Sequence, residues 1–270
     1  MGIPEIIFED ESLMVINKPS GWITNDATTT SNQPTVQGWL SRNLQFTMNN
    51  LLHSNNLQFR NGIVHRLDKE TSGILVIAKT KEVFEELQRQ FKERKVKKSY
   101  IALVHGKLDG EGDIVALVGR LPWRRDRFGV LPGGRESETH YKVLEFYKGD
   151  NAGHTLVEFF PKTGRTHQIR IHAKHMGHAI VADEFYAGRK TARNDRKWCP
   201  RLFLHASSIK FTHPTTGKDV ILSRALVLDL RGIPFSNSTT DRFGDKVVVY
   251  PNQGQDPGYL VNVAFDVNKR

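Results

Sequence analysis

The run Gly73-Ile74-Leu75-Val76-Ile77-Ala78 offers no polar residue to a wet face. A strand covered on one side alternates apolar and polar residues, whereas an unbroken β-branched run needs cover on both. The sequence therefore predicts a buried central strand, and the rest of the chain must supply its cover. With 270 residues, 38% hydrophobic and 25% charged, there is enough chain for one large domain or two small ones. That composition excludes global disorder. The longest apolar runs fall far below the roughly 18 residues of a membrane span.

The elements around this strand follow from pattern and punctuation. Ile6 to Phe8 and Leu13 to Asn17 read as strands ending at the turn Lys18-Pro19-Ser20-Gly21. Thr35 to Leu44 carries Val36, Leu40 and Leu44 on one helical face, and Phe46 to Asn61 reads as an Asn-rich loop. Thr80 opens a helix with Glu82, Glu85 and Glu86 near its start and Arg89, Lys92, Arg94 and Lys95 near its end. The helix dipole favours that charge order. Strands are expected at Ser99 to His105, Thr139 to Phe146, Thr155 to Phe160, Leu202 to His205 and Ser208 to Phe211. Thr166 to Met176 reads as a second helix, stopped by Gly177. Beyond Gly232 the patterning fades: Ser236 to Asp245 reads as a linker or tail, with further strands at Lys246 to Tyr250 and Leu260 to Val267.

A single cysteine, Cys199, cannot form an internal disulfide, and no Cys pair is present to hold zinc. The N-terminal residues lack the basic start and apolar stretch of a signal peptide. The reading is an intracellular, cytoplasmic chain.

Its net charge of +10 is gathered into three clusters. Arg89, Lys92, Arg94, Lys95, Lys97 and Lys98 form the first; Arg120, Arg124, Arg125 and Arg127 surround Trp123 and Phe128 in the second. Arg189, Lys190, Arg193, Arg196, Lys197 and Arg201 enclose Trp198 in the third. Cations interleaved with aromatic rings suit a nucleic acid, whose phosphates meet the one and whose bases meet the other. Solvated loops and helix ends are the alternative.

Two segments carry chemistry. In His65-Arg66-Leu67-Asp68-Lys69, a carboxylate lies between two cations on the loop entering the buried strand. That environment favours the ionised form and suits a nucleophile, a general base, a metal ligand or a salt-bridged turn. In Gly164-Arg165-Thr166-His167-Gln168-Ile169-Arg170, strong donors cluster at a helix entrance able to take a phosphate or carboxylate. His172 and His175 stand i,i+3 on that helix, but without a Cys or a matching carboxylate set no metal is expected.

Four blocks in order resemble the RluA-type pseudouridine synthases, enzymes that isomerise uridine within RNA. They are Ile6 to Asp10 with Val15 to Gly21; His65 to Asp68 with Thr71 to Leu75 and Ala78-Lys79; Lys97 to Gly106; and Gly164 to Arg170 with Leu204 to Ala206 and His213-Pro214. The resemblance covers about Ile3 to Leu230. It implies an α+β fold with a bent, largely antiparallel mixed sheet flanked by helices and a central catalytic cleft.

By the same resemblance Asp68 is the catalytic aspartate, Tyr100 packs on the target base, and Arg165 pairs with Asp68. Ile169 supplies an apolar wall of the uracil pocket. Arg66, Lys69, Arg94, Lys95, Lys97, His167 and Arg170 are the expected RNA contacts. No cofactor is implied, and the partner is ribosomal or transfer RNA, met by a monomer without membrane attachment. Many relatives carry an RNA-binding module ahead of this domain; here the first block opens the chain, so the module is expected to be absent. Residues 1–232 form the expected catalytic domain and 233–270 an extension of unknown role. Asp68 either attacks ribose C1′ or removes a sugar proton, and the target base must leave its stack. The competing readings are a catalytically silent RNA-binding factor on the same domain and a nucleoside-bond hydrolase.

Overall fold

The computed structural model describes residues 2–27, 30, 33–43, 57–148, 152–229, 240–243 and 246–249. Ten strands form one sheet. They are β1 (Glu5–Glu9), β2 (Leu13–Lys18), β3 (Ser72–Ala78), β4 (Lys97–His105), β5 (Glu111–Leu121), β6 (Arg124–Val130), β7 (Arg135–Tyr147), β8 (His154–Pro161), β9 (Leu204–Thr212) and β10 (Asp219–Ser223). Their order is β1-β2-β3-β9-β4-β8-β7-β5-β6, with β10 also on β9. Every pairing is antiparallel except β3 with β9. Four helices accompany the sheet: α1 (Val36–Asn43), α2 (Lys81–Lys92), α3 (Gln168–His175) and α4 (Arg189–Asp195). The fold is thus the α+β class expected, with a mainly antiparallel open sheet.

The apolar run Gly73 to Ala78, with Ser72 before it, is β3, buried at all seven positions. It lies between β2 and β9, so its two faces feed two different cores. Ile74, Val76 and Ala78 pack with Val83, Phe84 and Leu87 of α2. Leu75 and Ile77 pack with Val36 and Leu40 of α1 and with Leu67. Burying a side chain of this size stabilises by roughly 1.5–3 kcal/mol, which is why the strand tolerates no polar face. Thr80 caps α2 as its sequence indicates, accepting from the Val83 N–H at 3.3 Å.

The parallel joint is short. Only Ser72–His205 and Gly73–Ala206 pair across it. Gly73 has φ +116°, and a Cβ there would meet the Ala206 carbonyl oxygen at 2.3 Å. Glycine is therefore required for the strands to approach. On its other edge β9 meets β4, where a bulge between Ser99 and Tyr100 puts Tyr100 opposite the same Ala206. Bulges re-aim side chains, and this one brings Tyr100 beside the loop that enters β3.

Three sequence expectations need correction. The two strands expected at 202–205 and 208–211 are one strand, β9, because Ala206 and Ser207 between them are buried in the sheet. The basic segment around Trp123 is a β-hairpin, β5–β6, and part of the third cluster is helix α4. Within the segment 236–245 read as a linker or tail lies a strand, β12 (Thr240–Phe243), which pairs with β13 (Lys246–Val249), the strand expected at 246–250, and β13 pairs in turn with β11 (Leu226–Asp229). The strand expected at 260–267, Leu44 of the first expected helix and residues 46–56 of the expected loop lie outside the described residues, and the end of that loop is a short 3-10 helix, Leu57–Gly62.

Candidate active site

The loop 64–71 is held by the turn that follows β2. Lys18, fully buried, donates from Nζ to the carbonyls of Pro19, Trp22 and Lys69 at 3.0, 2.8 and 3.2 Å. Gly21 N–H donates to the Lys69 carbonyl, and Ser20 Oγ donates to that of Glu70. Thr24 Oγ1 donates to the Leu67 carbonyl at 2.7 Å and accepts from the Leu67 N–H at 3.2 Å. Burial pulls the Lys18 amine down to about 7, against the charge of Asp68, which raises it. Three carbonyl acceptors match the three hydrogens of an ammonium, so this geometry favours the charged form. From the other side the Val76 N–H donates to His65 Nε2 at 3.0 Å, tying the loop to β3.

Asp68 sits in this frame, its side chain 18% exposed. Arg170 Nη1 lies 3.6 Å and His167 Nε2 3.9 Å from Asp68 Oδ2. Arg170 is itself buried and grips the buried Asp183 in two-point fashion, Nε to Oδ2 and Nη2 to Oδ1 at 2.8 Å each. The backbone N–H groups of Phe185 and Tyr186 donate to Asp183 Oδ1 as well. Burial works against the Arg170 charge, but its bonds to Asp183 and the nearby Asp68 outweigh that and raise its pKa. The guanidinium also lies over the rings of Phe185 and Tyr186, 5.3 and 5.1 Å from their centroids. The result is a rigid chain of groups: Asp183, Arg170, Asp68.

His167 opens α3 in the left-handed conformation, φ 57°. Its Nδ1 is 2.9 Å from the Tyr186 hydroxyl. Burial lowers its pKa, offset by Asp68, which leaves a neutral ring at pH 7. The tautomer with hydrogen on Nε2 points an N–H at the Asp68 carboxylate and lets Tyr186 donate to Nδ1; the other would face a lone pair to an anion. Tyr100, whose phenol is raised by burial and then by Asp68, remains protonated.

These groups line a cleft of about 510 Å³, a size that suits one nucleotide. Its walls include Tyr100, Ile169, Leu204 and Phe91. Its cations are Arg66, Lys92, Arg94, Lys98, Lys162, Arg165 and Arg170, against one carboxylate, Asp68. Such a site concentrates positive potential where a phosphate backbone would lie.

The structure redistributes the roles read from the sequence. Arg165 lines the cleft but makes no ion pair with Asp68: its Nε donates to the Glu136 carbonyl at 3.1 Å. The reason is the helix start. Gln168, not Thr166, is the first helical residue, and its side chain accepts from the Arg165 N–H, which leaves Arg165 on the strand side of the loop. Arg170, read as an RNA contact, is instead the buried partner of Asp68 and Asp183. Arg66, Arg94 and His167 do line the cleft, while Lys69 donates to Gln33 Oε1 and Lys95 pairs with Glu93, both away from it. Lys97 is exposed at the start of β4. Ile169 packs under the cleft. His172 Nε2 lies 2.8 Å from Ser137 Oγ, within hydrogen-bond distance.

Sequence reasoning missed Lys18, Asp183 and Tyr186. Asp183 had a visible signal: it ends the apolar run Ala179 to Ala182, where a carboxylate must find a buried cation.

A sheet with one parallel joint, a clamped carboxylate beside that joint and a cationic cleft above it define a nucleotide-handling site. Comparison with known proteins places the chain in a family. The family model "RNA pseudouridylate synthase" matches residues 12–175. Ribosomal large subunit pseudouridine synthase D of Nitrosomonas europaea is 36% identical over 244 residues, covering 86% of this chain and 67% of that protein. Ribosomal large subunit pseudouridine synthase C of Vibrio cholerae is 37% identical over 219 residues, 79% of this chain and 62% of that one. The solved structure of human RNA Pseudouridylate Synthase Domain Containing 1 superposes with TM-score 0.64 at 27% identity, covering 82% of each chain. The chain belongs to the RNA pseudouridylate synthase family. It spans about two thirds or less of the length of these two curated relatives. No helix among the described residues is long and apolar enough to cross a membrane.

Proposed function

We propose that this chain converts specific uridines of ribosomal or transfer RNA to pseudouridine, with Asp68 as the catalytic residue. The relatives named for the large ribosomal subunit favour ribosomal RNA. The observation that carries the reading is the setting of Asp68: one carboxylate in a cationic cleft, gripped by an arginine that a second, inaccessible carboxylate holds in place.

The reaction breaks the bond from ribose C1′ to N1 of uracil, turns the base and rejoins it through C5, whose hydrogen is then lost as a proton. Glycoside hydrolysis uses two carboxylates, one as acid for the leaving group. Asp183 is fully buried behind Arg170, so one carboxylate faces the substrate. That suits uracil leaving as a stabilised anion and being recaptured without water. Attack on C1′ and removal of a sugar proton both begin from an oriented Asp68 carboxylate, and Arg170 Nη1, 3.6 Å from Oδ2, orients it. Tyr100 offers the base a ring face, Ile169 an apolar wall, and the His167 N–H a donor at the carboxylate. The uridine must leave its stack to reach this depth. In this reading residues 1–232 are the catalytic domain, acting as a monomer in the cytoplasm without a cofactor.

Asp68→Asn should abolish pseudouridine formation while RNA affinity stays within a few-fold. Site-resolved pseudouridine mapping of total RNA, with and without the protein, reads both activity and substrate. Full activity of the variant would overturn the mechanism. Free uracil in the supernatant would point to hydrolysis, and a wild type that marks no site would point to a silent RNA-binding factor.

A further inference from the structure

The β5–β6 hairpin is not used by the site described above. β5 pairs with β7 only as far as Val118; from Gly119 to Gly129 the two strands have each other alone, at the edge of the sheet. A lone two-stranded ribbon is marginal in water, and this one is braced along β6. Arg127 Nη1 donates to the Phe185 carbonyl at 2.6 Å and its guanidinium lies over the Phe185 ring. Phe128 sets its ring against His167 at 6.0 Å, with Arg120 stacked over its own ring at 5.1 Å. Helix α3 packs beneath. The brace ends there: at the tip Trp123 is 74% exposed, next to the exposed Arg124 and near the exposed Arg120.

An indole left in water at the end of a braced arm, with cations beside it, has the chemistry of a stacking platform for a nucleobase. The brace starts at the ring beside Asp68, and about 13 Å of strand separates Phe128 from Arg124. Neither Trp123 nor Arg124 lines the cleft, so the tip is suited to a nucleotide other than the reacting uridine. We propose that this arm is a second RNA contact, in which Trp123 stacks an unpaired base flanking the target while Arg120 and Arg124 meet its phosphates. The inference rests on the reading of the chain as an RNA-modifying enzyme and adds to it a determinant of which uridine is chosen.

The test uses the full chain with two probes: an unmodified large-subunit ribosomal RNA transcript and a fully paired RNA duplex. Trp123→Ala should weaken transcript binding about tenfold and leave duplex binding unchanged. Trp123→Tyr should keep most of the affinity, and in neither variant should the salt dependence change. Replacing Arg120 and Arg124 with Ala should instead reduce the salt slope by one to two. Equal transcript affinity of wild type and Trp123→Ala would overturn the proposal. So would a change of oligomeric state in light scattering with RNA affinity untouched, since the arm would then be a protein contact. Following pseudouridine formation in the same samples separates the two readings. Trp123-dependent binding without any product leaves the arm standing and removes the catalytic reading. Product formed with unchanged KM in Trp123→Ala does the reverse.

Discussion

Arg170 is the residue on which the site turns. Its Nε and Nη2 are spent on Asp183, which leaves Nη1 for Asp68 and fixes where that N–H points. A buried ion pair adds little net stability when complete, but removing one partner strands the other. Arg170→Met should therefore destabilise the fold by about 3–5 kcal/mol, read from urea unfolding. Adding Asp183→Asn should return part of that stability without returning activity. A double variant whose activity recovered with its stability would show that Arg170 serves the fold alone. Arg170→Lys keeps the charge but not the two-point grip, so it should fold better than Met yet stay well below wild type in kcat.

At the scale of elements, the end of α2 shows a fold accepting strain for the cleft. Lys95 N–H bonds to the Gln90 carbonyl at 2.9 Å and Arg94 N–H to that of Phe91 at 3.2 Å, the Schellman pattern, in which the left-handed position is usually glycine. Here it is Arg94, φ 60°, and it lines the cleft. Left-handed backbone costs a residue with a side chain about 1–2 kcal/mol. Arg94→Gly should raise the unfolding free energy by about 1 kcal/mol, read as a higher urea midpoint, while weakening RNA binding and flattening its salt dependence; a variant no more stable than wild type would refute the strain. Elements of this kind also decide what the sequence could reveal. Strand β3 was legible because its apolar run is unbroken, and helix α2 because its apolar residues keep one helical period. The β5 strand was not: Ile114, Ala116 and Val118 are buried, but Val115 and Leu117 between them are apolar too, 69% and 40% exposed, and the alternation vanishes. Helix α4 is seven residues long and too short to show a period. In the site, the chemistry-bearing blocks were visible, yet the choice between Arg165 and Arg170 depended on a helix start two residues later than expected, and terminal residues are what pattern fixes least.

Over the whole molecule, part of the basic complement is paired with acids, Arg89 with Glu86 and Glu93, Arg196 with Glu70 and Glu184, Arg170 with Asp183, and these pairs leave the net +10 to the remaining cations. What faces the cleft is a local excess, and the stability of the frame around it rests on neutral buried histidines. His65 Nε2 accepts from the Val76 N–H. His205 Nε2 faces the Arg224 carbonyl, so it carries the hydrogen, and Nδ1 accepts from Ser72 Oγ. His172 Nε2 donates to Ser137 Oγ, since that hydroxyl's own hydrogen goes to the Ala116 carbonyl; its buried Nδ1 has no partner among the described residues. Burial holds His65 and His205 down to about 3 and His172 to about 4, with Lys98, Arg201 and His175 respectively adding repulsion. In the unfolded chain each titrates near 6.5. Between those values the unfolded state binds more protons, so stability is complete above about pH 6.5 and is lost as pH falls toward 3–4. At pH 5 the loss is about 2 kcal/mol per histidine, and three together approach the 5–15 kcal/mol of a typical fold. The urea midpoint should fall steeply as pH drops below 6.5, and His172→Gln should make that fall shallower. A midpoint that held constant down to pH 5 would refute the neutral rings, since a protonated His65 has no lone pair to accept the Val76 N–H that ties the Asp68 loop to β3.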